Sequence, residues 1–263
     1  MSIPRPRLNL IELALFGCLL IVVTAGVALQ IGRVQLAGDI QVFARAIVEL
    51  RPLRERFGQA HHSRYAEEWI IRDFFKDARD GVFVDVGANH YERDSNTYHL
   101  ETALGWRGVA IEPQTKFAAD YATYRPRTIF VPLFVSDKSN EKAVLYVPSN
   151  DLVASSSKAF VASEGGGTNP PAVTVNTTTL DDVLTRAGLD HLDFLSIDVE
   201  LHEPEVWRGF SLDRWQPRLV CVEAHPDVRQ LEIDYFAAHG YVIVGKYLRA
   251  DPVNLWFARP PAR

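Results

Sequence analysis

The chain has 263 residues, 47% of them hydrophobic and 23% charged, with a formal net charge of −5 at pH 7. Such a composition marks a globular protein with room for one large α/β domain and an appendage. The acidic balance argues against a nucleic-acid partner, which calls for a basic face. Two cysteines in apolar stretches, Cys18 and Cys221, exclude a disulfide framework and suit a reducing compartment.

Residues 1–12 form a short tail. Leu13 to Gly32 carries no charge, and Thr24 and Gln30 are its main polar interruptions. About 20 residues at 1.5 Å rise cross a hydrocarbon core of roughly 30 Å, so 13–32 is expected to be a transmembrane helix. A cleaved signal peptide has a shorter apolar region, and a buried core helix shows a polar face. Arg5 and Arg7 precede the span, and Arg33, Arg45, Arg51, Arg54 and Arg56 follow it. Cations are retained on the cytoplasmic side. The expectation is therefore a single-pass inner- or plasma-membrane protein whose C-terminal domain faces the cytoplasm. Residues 33–60 read as a helical juxtamembrane linker, broken at Arg51-Pro52. Its arginines suit anionic lipid head groups or a solvated face equally.

Residues 61–263 read as the main domain. Ser63–Lys76 is a helix with Tyr65, Trp69, Ile70 and Phe74 on one face. Val82–Val86 is a strand, Ser95–Leu104 a helix closed by Gly105, and Val109–Ile111 a strand. Gln114–Tyr124 is a helix, Ile129–Val135 a strand, and Lys142–Val147 a shorter strand. Asn150–Pro171, rich in Ser, Gly and Asn, is expected to be a mobile loop and a candidate lid over an acceptor, with a plain insertion as the alternative. Asp181–Ala187 is a helix, Phe194–Ile197 a strand, Glu203–Gly209 a helical turn, Leu219–Val222 a strand and Asp227–His239 a helix. Tyr241–Val244 and Leu255–Ala258 form a closing pair. Fully apolar strands alternating with helices predict a mainly parallel sheet covered on both faces, whose ligand sits beyond the strands' carboxyl ends.

Four strand ends carry candidate chemistry. The first ends Asp85-Val86-Gly87-Ala88-Asn89, where glycine admits a close ligand and the following N–H groups suit a carboxylate. Tyr91 stands where a dinucleotide fingerprint would place its second glycine, so a cofactor without pyrophosphate fits better. The second ends Glu112-Pro113, an acid able to accept from ribose hydroxyls. The third ends Ser136-Asp137, an acceptor for an adenine amino group. Helix capping and solvated turns are the plain readings of these acids. The fourth ends Asp198-Val199-Glu200-Leu201-His202-Glu203, and the fifth Glu223-Ala224-His225. Crowded carboxylates raise one another's pKa, which suits a base near neutral pH. Asp198 or Glu200 is the first choice for that base, with His202 and His225 behind them. Asp198, Glu223 and His225 could hold a divalent ion, but no spacing requires one and no metal is expected.

From about His62 to Arg259 the chain resembles the FkbM-type methyltransferases, within the S-adenosylmethionine (SAM)-dependent class I group. The segments that carry the resemblance are 63–75, Asp85–Asn89, Ser95–Tyr98, Leu100-Glu101, Trp106–Gly108, Ile111–Pro113, Ser136-Asp137, Thr179–Asp182, Phe194–Glu203 and Asn254–Phe257. The resemblance implies a Rossmann-like fold with an antiparallel closing strand, SAM as donor, and a hydroxyl acceptor on a saccharide or similar small molecule. It implies that Asp85, Gly87, Ala88 and Asn89 hold the methionine part, Glu112 with Pro113 the ribose, and Ser136 with Asp137 the adenine. Asp198, Glu200 and Glu203 then lie beside the transferring methyl. Two positions depart from the family: Tyr91 and Leu201 stand where glycine is common. A membrane tether raises the odds of a lipid-linked saccharide acceptor. The alternatives are a non-catalytic membrane-tethered scaffold that keeps the fold, and a nucleotide-dependent enzyme of another class.

Overall fold

A computed structural model describes residues 41–260 except Phe43. The tail 1–12 and the expected span 13–32 lie outside the described residues. Among the described residues, no helix is long and apolar enough to cross a membrane.

Apolar runs of four or five residues become the central strands: β1 (Val82–Val86), β2 (Arg107–Ile111), β7 (Phe194–Ile197) and β8 (Leu219–Glu223). They pair in parallel, with β3 (Thr128–Val131) outside β2. Beyond β8 come β10 (Asn254–Ala258) and then β9 (Val242–Ile243), so the order is β3-β2-β1-β7-β8-β10-β9. Only β10 runs against its neighbours in this sheet, as the closing pair predicts.

Alternation along each strand feeds two cores. Val82, Val84, Leu195, Ile197, Val220, Val222, Leu255 and Phe257 face one side. There they meet α6 (Leu180–Arg186), α7 (Glu203–Arg208), α8 (Leu212–Trp215) and α9 (Arg229–Ala238). Phe83, Phe194, Cys221 and Trp256 face the other, under α2 (Glu67–Phe75) and α3 (Tyr98–Thr102). A third cluster sets Tyr121 of α4 (Ala118–Tyr124) against Ala110 and Ala88.

A helix through 44–57, α1, continues past Pro52 without the expected break. Pro52 is exposed, so the carbonyl it leaves unpaired can turn to water. Leu50, Leu53 and Phe57 pack against the α2 side of the domain, and the Arg72 guanidinium lies 4.5 Å from the Phe57 ring. The second half of the expected linker is thus docked rather than solvated.

The expected strand Ile129–Val135 is cut in two at Pro132, which has no N–H for a ladder. β3 stays in the main sheet. β4 (Phe134–Val135) leaves it to pair with β6 (Ala172–Thr178), which also pairs with β5 (Lys142–Tyr146). The segment expected to be a mobile loop is built: it holds α5 (Lys158–Val161) and a wide helical turn over Ala162–Gly166. Ser155 bridges back to Tyr146 through both backbone groups, at 2.9 and 3.2 Å.

Candidate functional site

The carboxyl ends of β1, β2, β7 and β8 open on one cavity of about 280 Å³. Residues 64–67 cover it on one side, and Leu152, Val153 and Phe160 of the built insertion cover it on another.

The β1 end is shaped by Gly87, at φ +84°. A Cβ there would lie 1.7 Å from the Asp198 carbonyl oxygen, so only glycine lets the β1 turn and the β7 end meet. Asp85 sits below this turn, 5% exposed, and accepts from Thr97 Oγ1 at 2.9 Å. Burial raises its pKa to about 6, against the pull of Thr97 and Arg125. Arg125 is fully buried. It donates to Glu101 at 2.6 Å, to the Tyr91 carbonyl at 2.8 Å and to the Thr97 carbonyl at 3.2 Å. One guanidinium therefore ties together both ends of the turn from Tyr91 to Thr97. Tyr91 needs no left-handed backbone here; its ring stacks on Tyr124 at 4.7 Å, so its departure from glycine costs no backbone strain.

Glu112 closes β2 with 5% exposure. It accepts from the Gln114 N–H at 2.9 Å and the Asn89 N–H at 3.3 Å, and burial lifts its pKa to about 7. The buried Asn89 Oδ1 has no partner. Asp85, Gly87, Ala88, Asn89, Glu112 and Pro113 all line the same cavity.

On the β7–β8 side, Asp198, Glu200 and Glu223 each offer an oxygen within 4.8 Å of the others. Burial, then repulsion from Asp198 and Glu203, lifts Glu200 to about 9; burial, then Glu200 and Glu203, lifts Glu223 to about 8. Burial, then Glu223 and Glu203, holds Asp198 well above the usual range. Because the Asp198 side chain is open to cavity water, the repulsion is the firmer cause there. Three crowded acids that hold protons near neutral pH form a seat for positive charge, whether an organic cation or an oxygen-ligated metal ion. The set differs from the one read in sequence: Glu200 joins, and His225 stands apart. His225 lines the cavity but meets Phe160 edge-on at 5.5 Å, and its Nδ1 accepts from the Asp227 N–H at 3.4 Å.

The acids are aimed by an unusual turn. Glu200 and Leu201 both have left-handed backbone, φ +54° and +75°. At Leu201 the glycine common in the family would relieve real strain. The insertion holds the turn instead: the buried Ser155 hydroxyl donates to the Glu200 carbonyl at 2.6 Å.

Four candidates fall outside the cavity lining. His202 turns away; Ser156 meets its Nδ1 at 3.1 Å and Ser136 its Nε2 at 3.3 Å, while Phe134 lies 4.6 Å from its ring. Burial lowers its pKa, and with both nitrogens engaged it is a rivet between the insertion and β4. Ser136 and Asp137 leave with β4, because Pro132 ends the third strand of the sheet early. Leu133 and Phe134 line the cavity at that edge instead. Glu203 lies behind the acids, fully buried, accepting from the Val199 N–H at 3.1 Å. Sequence reasoning gave Thr97, Arg125 and Arg64 no site role, since one polar side chain carries no signal of which distant partner it meets. The Ser-rich insertion was visible, but its anchoring to Glu200 was not.

A seven-stranded sheet with one reversed strand, an acid–glycine turn after β1 and a second acid after β2 define a class I methyltransferase. The sequence matches the family described as the methyltransferase FkbM domain over residues 85–243, more than half of the chain, and the protein belongs to that family. No protein of curated function matches it. Among solved structures, a precorrin-6y C5,15-methyltransferase from Geobacter metallireducens is similar at a TM-score of 0.38 and 11% identity. That similarity covers 67% of this chain and 70% of that one, and bears on nothing further.

Proposed function

We propose that this methyltransferase uses SAM to methylate a hydroxyl oxygen on a saccharide, a lipid-linked glycan or a similar small acceptor. The supporting observation is that the buried carboxylates of Asp85 and Glu112 open on one cavity whose opposite wall is the Asp198–Glu200–Glu223 cluster. The residues suit the cofactor. Glu112 can accept from ribose hydroxyls, Gly87 leaves backbone-wide space, Asn89 has an orphaned oxygen, and the acids favour a cation. Leu133, Phe134 and Pro113 offer apolar surface for a base.

SAM, when bound, supplies an activated methyl on a cationic sulfur. The chain has then to align and to deprotonate. Asp85, Glu112 and the Gly87 turn hold one reactant, and the insertion around Phe160 restricts water and acceptor on the other side; alignment of this kind supplies several kcal/mol, up to about 7–11. Glu200 carries the base role, with Asp198 beside it in the acid cluster and His225 behind. Its pKa of about 9 keeps it protonated at pH 7, and a nearby positive charge shifts it toward the ionised form. A positioned base adds roughly 10²–10⁴-fold.

The membrane reading belongs to the same proposal. A helix at 13–32, followed by arginines, would tether the domain on the cytoplasmic face, where SAM is made, and would favour acceptors carried by the bilayer. Calorimetry of SAM and S-adenosylhomocysteine with the full-length protein in detergent tests the cofactor. A folded protein that binds neither sinks the enzyme and leaves the scaffold reading, which the strained Leu201 turn favours. Labelled SAM with membrane extracts then identifies the acceptor; label found only in water-soluble products would sink the lipid-linked version.

A further inference from the structure

The cavity is lined by many carboxylates, among them Asp85, Asp94, Glu112, Asp198, Glu200 and Glu223, and by a single guanidinium, that of Arg64. An acidic pocket favours the sulfonium and ammonium of SAM but repels its carboxylate, and that group needs a cation. Arg64 has no carboxylate within 4 Å among the described residues, yet stands close enough to feel Asp94 and Asp198 and to act on Glu200 and Glu223. Its guanidinium lines the cavity and has a neutral neighbour in Tyr65, with Cζ 5.6 Å from that ring's centroid, rather than an acid.

The backbone that carries Arg64 is fixed. Glu68 accepts from the His62 N–H at 2.8 Å, and its own N–H donates to Ser63 Oγ at 3.0 Å. Glu67 accepts from the Tyr65 N–H at 2.8 Å and from Asn254 Nδ2 at 3.1 Å, tying the turn to β10. The His62 ring lies 4.4 Å from Tyr98. His62 and Ser63 before Arg64, and Tyr65, Glu67 and Glu68 after it, are thus held, while the guanidinium itself carries no ion pair. Such a arrangement lowers the ordering cost of a clamp.

We propose that Arg64 is the clamp for the methionine carboxylate of SAM, and so sets the preference for the amino-acid form of the cofactor over its truncated forms. This rests on the SAM reading above. A charge-assisted pair of this kind changes affinity by roughly 10- to 100-fold.

The test is calorimetry on the full-length protein with two ligands: S-adenosylhomocysteine, and its decarboxylated analogue, which keeps the ammonium and lacks the carboxylate. The native protein is expected to bind the first at least 10-fold more tightly. Arg64→Gln is expected to weaken the first by about 20-fold and to leave the second unchanged or tighter, because a repelling cation has gone. Arg64→Lys, which keeps the charge and loses the fork, is expected to fall between. Equal loss for both ligands in Arg64→Gln, with an unchanged melting temperature, overturns the clamp and leaves the SAM reading standing. Native protein that binds neither ligand overturns both.

Discussion

Replacing Arg125 by Met would test whether the buried ion pair holds the cofactor side of the cavity in place. Methionine roughly keeps the volume but leaves Glu101, 5% exposed, without its cation and leaves the Tyr91 and Thr97 carbonyls without their donor. Breaking a buried pair from one side costs about 3–5 kcal/mol. Glu101 keeps the Arg127 N–H at 2.7 Å and the Thr128 hydroxyl, which places the loss at the lower end, about 3 kcal/mol. For a domain of this size that is a fall of roughly 10 °C in melting temperature. The double change Arg125→Met/Glu101→Gln removes the stranded charge and should recover about 1–2 kcal/mol relative to the sum of the single changes. A binding readout separates scaffold from site. Arg125 is one of the groups holding the Asp85 pKa down to about 6, so its loss lets Asp85 rise and protonates it further at pH 7. Affinity for S-adenosylhomocysteine should then drop at pH 7 and partly recover at pH 8.5. Urea unfolding that shows under 1 kcal/mol lost in Arg125→Met, with no coupling to Glu101, would refute the reasoning.

Other expectations follow from the same acids. Binding of SAM should release about one proton at pH 7.5, because a cation arriving beside Glu200 and Glu223, with pKa values near 9 and 8, favours their ionised forms. Heats of binding that do not vary with buffer ionisation enthalpy would count against it. Glu232 is fully buried with neither oxygen partnered, and burial, then Glu203, lifts its pKa to about 8. The folded state therefore binds a proton that the unfolded state gives up near pH 4.5, and the resulting stability is lost as pH rises toward 8. Glu232→Gln should be close to native at pH 5 and more stable by on the order of 2 kcal/mol at pH 9; a gap that shrinks with rising pH would be the wrong sign. Leu201→Gly should lie within about 0.5 kcal/mol of native or above it, whereas Leu201→Val, β-branched at φ +75°, should cost about 2 kcal/mol. Equal melting temperatures for the two variants would show that the turn is not strained.

The main sheet was legible because its strands are short, apolar throughout and separated by helices, a pattern with few other solutions. Asp85 and Glu112 were legible for the same reason: an acid that ends an apolar run before a turn has little choice but the rim of the sheet. The reading failed where a single residue outweighed a pattern. Pro132 interrupts an otherwise continuous strand signal and takes Ser136 and Asp137 with it. His202 sits beside two acids in sequence, but the left-handed pair Glu200-Leu201 turns the backbone and sends it the other way. β6 went unread since Ala172–Thr178 is mostly exposed and threonine-rich, so no apolar face marks it. Arg125 gave no warning at all; a buried cation is defined by partners that lie 24 to 34 residues away.

The early end of the third strand has a consequence for selectivity. At that rim an acid would have demanded an unsubstituted exocyclic amine. Instead Pro113, Leu133 and Phe134 present a flat, greasy shape, and the acid that the insertion adds to the lining, Asp151, is already paired with Lys116. Donor analogues enlarged with an alkyl group on the purine nitrogen should accordingly be accepted within a few-fold of the natural one, and a loss beyond about 100-fold would mean that a polar reader lies at that edge after all.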